Sequence, residues 1–538
     1  MSKKRRLIAC LKHYSPSVNS TTRSFFRVAC SSLRFRQLAI RLVWTWQSKS
    51  HVRRSRSEAV KVRHLLAWYL SRLTTADGWI VGESTIDILS DDALLPIFLH
   101  CKGVSSSDLS WWEPLVHVCR RWRHVILASP LRLNLTVVCT SKTPTRESLD
   151  IWPPFPVAIH SAPCDPPGDI ENVVAALEHS DRVTDIRLIF RTRSDLIRSF
   201  LMMMMRPFSV LAYLSLGWVG NDEFVLPYGF LDGSAPSLRT LLLERIVFPE
   251  LPSLLSSTTQ LVRLQLSSVP FIGYISPEVM ATYLVALPNL QQLDLVEFQH
   301  RFLHEFPHTN QSLSTRGVLP SLAFFRFKGD NDYLEDLLAR IDAPMLKAFS
   351  ATFSNDIIHF PNLLIFVSSI ERLASGPPIR VMVDLEFCRI LLKSTPSDPF
   401  ELAITPEHFV EHTLSMICRE LSPLLSHAER LDLYWAPLRP GIALLPKYFK
   451  PWRHLRPFVT VKSLYVSKKL WPQLGRSLRI WREMAREVLP ELRTLILEGP
   501  QPPGSARRSI KSFITLRQLS DRPITIQRCT ARDFDPRD

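Results

Sequence analysis

Leu287-Pro-Asn-Leu-Gln-Gln-Leu-Asp-Leu295 is the stretch on which the reading of this chain turns. Its leucines follow the form L-x-x-L-x-L, and the final alternation of Leu293 and Leu295 is that of a strand with one buried side. The same fragment recurs at Val183/Ile186/Leu188, Leu211/Leu214/Leu216, Leu238/Leu241/Leu243, Leu261/Leu264/Leu266 and Leu322/Phe325/Phe327. The middle positions 186, 214, 241, 264, 293 and 325 lie 28, 27, 23, 29 and 32 residues apart. A unit of that length holds one strand and a returning helix or loop, which cannot bury its apolar side alone and so stacks on its neighbours. Several units open on a proline lead-in, as in Ala235-Pro-Ser-Leu, Leu287-Pro-Asn-Leu, Leu319-Pro-Ser-Leu and Leu489-Pro-Glu-Leu. Further copies stand at Leu431/Leu433, Leu464/Val466 and Leu495/Leu497, while residues 350–425 fit the period poorly.

Working outward, the rest of the chain differs in character. The 538 residues include 16 glycines against 41 prolines, which argues against an enzyme whose sheet relies on glycine-rich phosphate turns. A formal charge of +16 would suggest nucleic acid or an acidic membrane if it were spread over the fold. It is concentrated instead: residues 1–82 hold 17 Lys/Arg and two acids, and the other 456 residues hold 49 and 48. Residues 1–82 therefore read as a basic low-order tail, with a nuclear signal or a mitochondrial presequence as the functional alternatives. Nine scattered cysteines without a C-x-x-C pair indicate neither a disulfide framework nor a zinc ribbon, and point to a reducing compartment. No stretch approaches the ~20 consecutive apolar residues of a membrane span. The expected location is cytoplasm or nucleus.

Between tail and repeats, two segments carry helical spacing. Ile86-Asp-Ile-Leu-Ser-Asp-Asp-Ala-Leu-Leu-Pro-Ile-Phe-Leu reads as a turn, a cap at Ser90 or Asp91, and a short apolar helix. Residues 109–128 place Trp112, Leu115, Val116, Cys119, Trp122 and Ile126 at the spacing of one second helix, which Pro130 stops. Prolines 144, 153, 154, 156, 163, 166 and 167 then mark a connector.

Leu89-Ser-Asp-Asp-Ala-Leu-Leu-Pro-Ile-Phe followed by Trp111-Trp112-Glu-Pro-Leu-Val-His-Val-Cys-Arg-Arg-Trp-Arg-His-Val-Ile resembles an F-box. With Ala128-Ser-Pro and Arg132-Leu-Asn-Leu it looks especially like the expanded F-box families of mushroom-forming fungi. Ser90 replaces the proline that precedes the family's first helix, whereas Val118-Cys-Arg-Arg-Trp122 matches its second. The resemblance covers about residues 85–135. It implies a Skp-type adaptor and a cullin ligase as partners, with Leu89, Ile97, Leu115, Val116, Cys119 and Trp122 forming the apolar docking surface or its support. The repeats after it are similar to degenerate leucine-rich repeats lacking the family's asparagine.

The expected fold class is thus α/β, a short helical F-box module followed by a leucine-rich-repeat-like solenoid. Its parts are the tail at 1–82, the F-box at 83–130, the Pro-rich connector at 131–175, the repeat region at 176–505 and a C-terminal tail at 506–538. The expected function is substrate recognition for a ubiquitin ligase, without catalysis, cofactor or metal, directed at an unknown protein target. Side chains between the strand leucines should face outward to that target: Arg263, Gln265, Gln292, Asp294, Arg326 and Lys328.

Two strings argue for a zinc metallopeptidase instead. His304-Glu305-Phe306-Pro307-His308 fits H-E-x-x-H, but Pro307 breaks the helix that brings the histidines to one side. His408-Phe409-Val410-Glu411-His412 fits H-x-x-E-H after a helix start at Thr405-Pro406-Glu407, yet nothing local supplies a third ligand. Nucleic-acid binding rests on the basic tail alone and is not expected.

Overall fold

Side chains alternate across a strand, so a strand covered on one side buries every second residue. In Arg263-Leu-Gln-Leu-Ser267, Leu264 and Leu266 are at most 1% exposed while Arg263 and Gln265 turn the other way. This computed structural model describes residues 90–104, 111–140, 149, 154–160, 170–190, 195–298, 316–354, 359–370, 379–384, 389–394, 400–406, 411–434, 455–484, 488–502 and 504–529. The chain divides into two units, Met1–Ala158 and Ile159–Asp538. The basic segment 1–82 lies outside the described residues.

In the first unit the described helices are α1 (Asp91–Val104), α2 (Glu113–Val116), α3 (Arg120–Leu127) and α4 (Pro130–Leu133), followed by strand β1 (Val137–Cys139). Ser90 caps α1 as its sequence indicates, its Oγ accepting from the Ala93 N–H at 3.3 Å. Pro130 does not merely stop a helix; it opens α4, where its missing N–H is no loss. The division of the units falls within β2 (Val157–His160).

The second unit is mixed α/β, built on a large and mostly parallel sheet. After α5 (Ile170–Leu177) come β3 (Val183–Phe190), α6 (Asp195–Met203), β4 (Tyr213–Trp218), β5 (Phe224–Val225), β6 (Thr240–Glu244) and β7 (Ile246–Val247). Then follow α7 (Leu251–Ser257), β8 (Arg263–Ser267), α8 (Pro277–Val285), β9 (Gln292–Phe298), β10 (Gly317–Val318), β11 (Phe324–Gly329), α9 (Asn331–Leu338), β12 (Ile341–Asp342) and β13 (Ala348–Phe353). β3, β4, β6, β8, β9, β11 and β13 are parallel neighbours in chain order. Ile186, Leu214, Leu241, Leu264, Leu293 and Phe325 stand opposite one another in one register column. None is more than 2% exposed. β5 pairs with β7 and β10 with β12 in two short side sheets.

The proline lead-ins aim each strand. In Ala235-Pro-Ser-Leu238, Leu287-Pro-Asn-Leu290 and Leu489-Pro-Glu-Leu492 the fourth N–H donates to the first carbonyl at 3.0, 3.1 and 3.1 Å. These are β-turns with proline where its fixed φ suits the bend. Helices cover the leucine side: Phe366 of α10 (Pro361–Ser368) meets Phe349 of β13 at 6.1 Å, and Tyr333 of α9 stacks on Phe327 of β11 at 6.0 Å.

Residues 350–425 depart from the period because the chain doubles back there. β14 (Ile379–Asp384), β15 (Arg389–Lys393) and β16 (Glu401–Pro406) form a meander inserted in reverse, giving the order β13-β16-β15-β14-β17. β15 runs antiparallel to both its neighbours. After α11 (Glu411–Glu420), α12 (Ser422–Leu425) and β17 (Ala428–Tyr434), the parallel order resumes through β18 (Ser463–Val466), α13 (Trp471–Met484) and β19 (Thr494–Glu498). Thr405 and Pro406 close β16, so they do not start a helix as their sequence suggests.

Two expected boundaries move. The segment from 506 is no tail: α14 (Gly504–Leu519) buries Ala506, Ile510 and Phe513, and β20 (Thr525–Cys529) pairs with β19. The Pro-rich connector 131–175 contains β1, β2 and the start of α5, because Val137, Cys139 and Val157–Ile159 of its apolar runs are buried in strands. No described helix is long and apolar enough to cross a membrane.

Candidate functional site

Helical spacing across Trp112 to Ile126 suggests one helix, and the structure breaks it in two. α2 ends at Val116, and α3 begins at Arg120 after Cys119, whose backbone is extended. Cys119 is the N-cap of α3: its Sγ accepts from the Trp122 N–H at 3.4 Å, satisfying a donor that the first turn leaves open. Two of the arginines that follow it are structural ties. Arg121 reaches Asp91 of α1 at 2.7 Å, and Arg123 Nε donates to the Val116 carbonyl at 3.0 Å, closing the end of α2. Trp122 is buried, with its ring edge-on to Phe98 of α1 at 4.9 Å.

Of the residues to which docking was assigned, Val116 and Trp122 are buried, while Ile97, Leu115 and Cys119 are half-buried. Leu89 lies outside the described residues. Trp122 and Val116 therefore support this unit from within, and the partly open positions are Ile97, Leu115 and Cys119. The sequence reading passed over Leu99, a large apolar side chain of α1 that is 42% exposed.

The six outward candidates do share one side of the sheet. Arg263 pairs in register with Gln292 and Gln265 with Asp294; Asp294 in turn faces Arg326. They are not six free side chains, however. Asp294 is only 3% exposed, which corrects its expected place on the open surface. Arg326 Nε lies 2.9 Å from its Oδ1, while Arg263 Nη2 at 3.3 Å and Gln292 Nε2 at 2.9 Å reach its Oδ2. Arg263 also donates to Gln265 at 3.2 Å, and Lys328 pairs with Glu297 at 3.3 Å. Phe324 stands two residues before Arg326 on the same side and is 51% exposed. The alternation that buries Phe325 and Phe327 could have identified it.

The arrangement recurs further along. Asp432 of β17 is fully buried between Arg380 of β14 at 2.5 Å and Arg430 at 2.9 Å. Next to it the outward side is itself packed, where Met382, Leu391, Ala403, Tyr434 and Tyr465 form a buried apolar cluster. Burial, and then Asp384, push the Tyr434 hydroxyl up to about 12. Burial, followed by Glu498, raises that of Tyr465 as well. Both phenols therefore stay protonated at neutral pH.

Of the metallopeptidase strings, His304 to His308 and His408 lie outside the described residues. Among the described residues no group of three His, Cys, Asp or Glu is placed to hold a metal ion. The chain matches no protein-family model, and a search of the curated proteins finds no similar one.

Proposed function

We propose that this chain is the substrate-recognition adaptor of a Skp-cullin-F-box ubiquitin ligase, working in the cytoplasm or nucleus. Its helical unit holds the Skp-type adaptor, and the outward side of its sheet holds a target protein. The chemistry is proximity: a lysine of the target is kept near the charged ubiquitin-conjugating enzyme, which raises its effective concentration without a catalytic residue in this chain. The observation that carries the reading is the turn at Val118-Cys-Arg-Arg-Trp122. This string resembles the family's second-helix signature, and Cys119, Arg121 and Trp122 each have a local task here, capping, tying and filling a small helical unit. The parallel strands that follow in chain order give the second surface such an adaptor needs.

Affinity purification of the full chain followed by mass spectrometry tests this. Recovery of a Skp-type adaptor and a cullin is expected, and their loss in Trp122→Ala, since removing a buried tryptophan costs roughly 3–5 kcal/mol. If the wild type never brings down either partner, or the variant retains both at wild-type levels, the reading is wrong.

A further inference from the structure

Resting on the adaptor reading, we propose that Arg263, Arg326 and Phe324 form the receiving site for an acidic segment of the target. A Glu or Asp carboxylate sits on the two arginines, and a neighbouring apolar side chain sits on the phenyl ring.

Three observations carry this. First, Asp294 accepts from both arginines through different oxygens, which fixes two guanidinium groups side by side. Each guanidinium has five N–H donors in a rigid fork, and Arg263 meets both Asp294 and Gln265 through Nη2 alone among the described residues. Arg263 Nε in particular is buried and meets no acceptor among the described residues. Second, among the described residues two arginines against one carboxylate leave one positive charge at this spot, while the nearby Lys328 is matched by Glu297. The excess is local, suiting one carboxylate and not a polyanion's run of phosphates. Third, Phe324 lies on the same strand two positions from Arg326, about 7 Å away along a chain rising ~3.3 Å per residue. An exposed aromatic ring beside held arginines is the composition of an interface anchor. Preorganisation by the buried Asp294 also lowers the rotamer entropy lost when an anion binds.

Fluorescence anisotropy on the purified full chain tests the site without any ligase component, so its failure leaves the adaptor reading standing and the reverse also holds. The probe is a short labelled peptide of alternating Asp and Leu, compared with its Asn-for-Asp counterpart and with a single-stranded oligonucleotide. The acidic peptide should bind at least ~10-fold more tightly than the neutral one, and less tightly as salt screens the pair. Arg263→Gln combined with Arg326→Gln should remove that preference. Phe324→Ser leaves every partner of Asp294 in place, so it keeps the test open if the double variant folds poorly, and it should weaken the acidic peptide by ~10-fold as well. Equal binding of the two peptides, wild-type affinity in Phe324→Ser, or stronger binding of the oligonucleotide than of the acidic peptide would each overturn the proposal.

Discussion

Glu335 of α9 holds the start of α10, its carboxylate accepting from the Asn362 N–H at 2.6 Å and the Leu363 N–H at 3.1 Å. Burial pushes its pKa up to about 7 against these bonds, which favour the charged form. A carboxyl raised from about 4.5 prefers to be protonated in the fold. Its contribution to stability is thus complete below pH 4.5 and lost as pH rises through about 7. Glu335→Gln keeps a carbonyl acceptor for α10 but cannot ionise. Thermal melts from pH 5 to pH 8 should therefore show the variant gaining on the wild type by on the order of 1–2 kcal/mol; parallel curves would show that Glu335 does not titrate in this window. Asp294 shows what alternation can and cannot reveal at this scale. Its place between Leu293 and Leu295 sets its side of the sheet, and that was legible from the fragment itself. Its burial was not, because the side chains that close over it come from the neighbouring strands β8 and β11, 31 and 32 residues away in sequence.

At the scale of elements, the strands were legible and the helix break was not. The strands announce themselves because the same column of apolar residues must repeat wherever one strand stacks on the next. The break at Cys119 leaves the helical spacing intact on both sides, so periodicity alone carries straight through it. Only a cap would signal it, and cysteine is a weak acceptor seldom found in that role. The meander was hidden for a related reason: Ile390-Leu391-Leu392 is buried on both sides of the sheet, so it shows no period of two. The cap gives a direct test. Cys119→Ser supplies a better N-cap acceptor and should match or exceed the wild type in stability of the helical unit, whereas Cys119→Ala should lose ~0.5–1 kcal/mol. Urea midpoints followed by tryptophan fluorescence, to which Trp111, Trp112 and Trp122 contribute from within this unit, would register the order Ser, Cys, Ala; an alanine variant as stable as serine would mean the cap carries no weight.

Across the whole second unit, one register column runs from Ile186 through Phe325 and continues as Phe349, Leu402, Leu392, Val381, Leu431, Leu464, Leu495 and Ile526. Every member up to Leu495 is at most 3% exposed, and Ile526 is 43% exposed. The contrast follows from geometry, since a strand within the sheet is covered from both sides and β20 is paired only with β19 among the described residues. β20 and α14 thus act as the cover for what precedes them. α14 buries Ala506, Ile510 and Phe513 and packs on α13. It also inserts Arg517, whose Nη2 donates to the carbonyls of Leu489, Pro490 and Leu492 at 3.0, 3.1 and 3.2 Å. Burial, then Arg522, lowers the pKa of that guanidinium. Those carbonyls belong to the proline turn that aims β19, which makes the last helix the brace of the strand before it. Ending the chain after Pro502 should therefore remove more than an appendage. It strips cover from Leu495 and Leu497 and takes the Arg517 donor from the carbonyls of Leu489, Pro490 and Leu492, a loss of roughly 5 kcal/mol or more from apolar burial and hydrogen bonds together. Differential scanning calorimetry should find the truncated chain melting well below the full one, with more dye-accessible apolar surface; an unchanged melting temperature would show that the array is complete at β19 and that α14 and β20 merely rest on it.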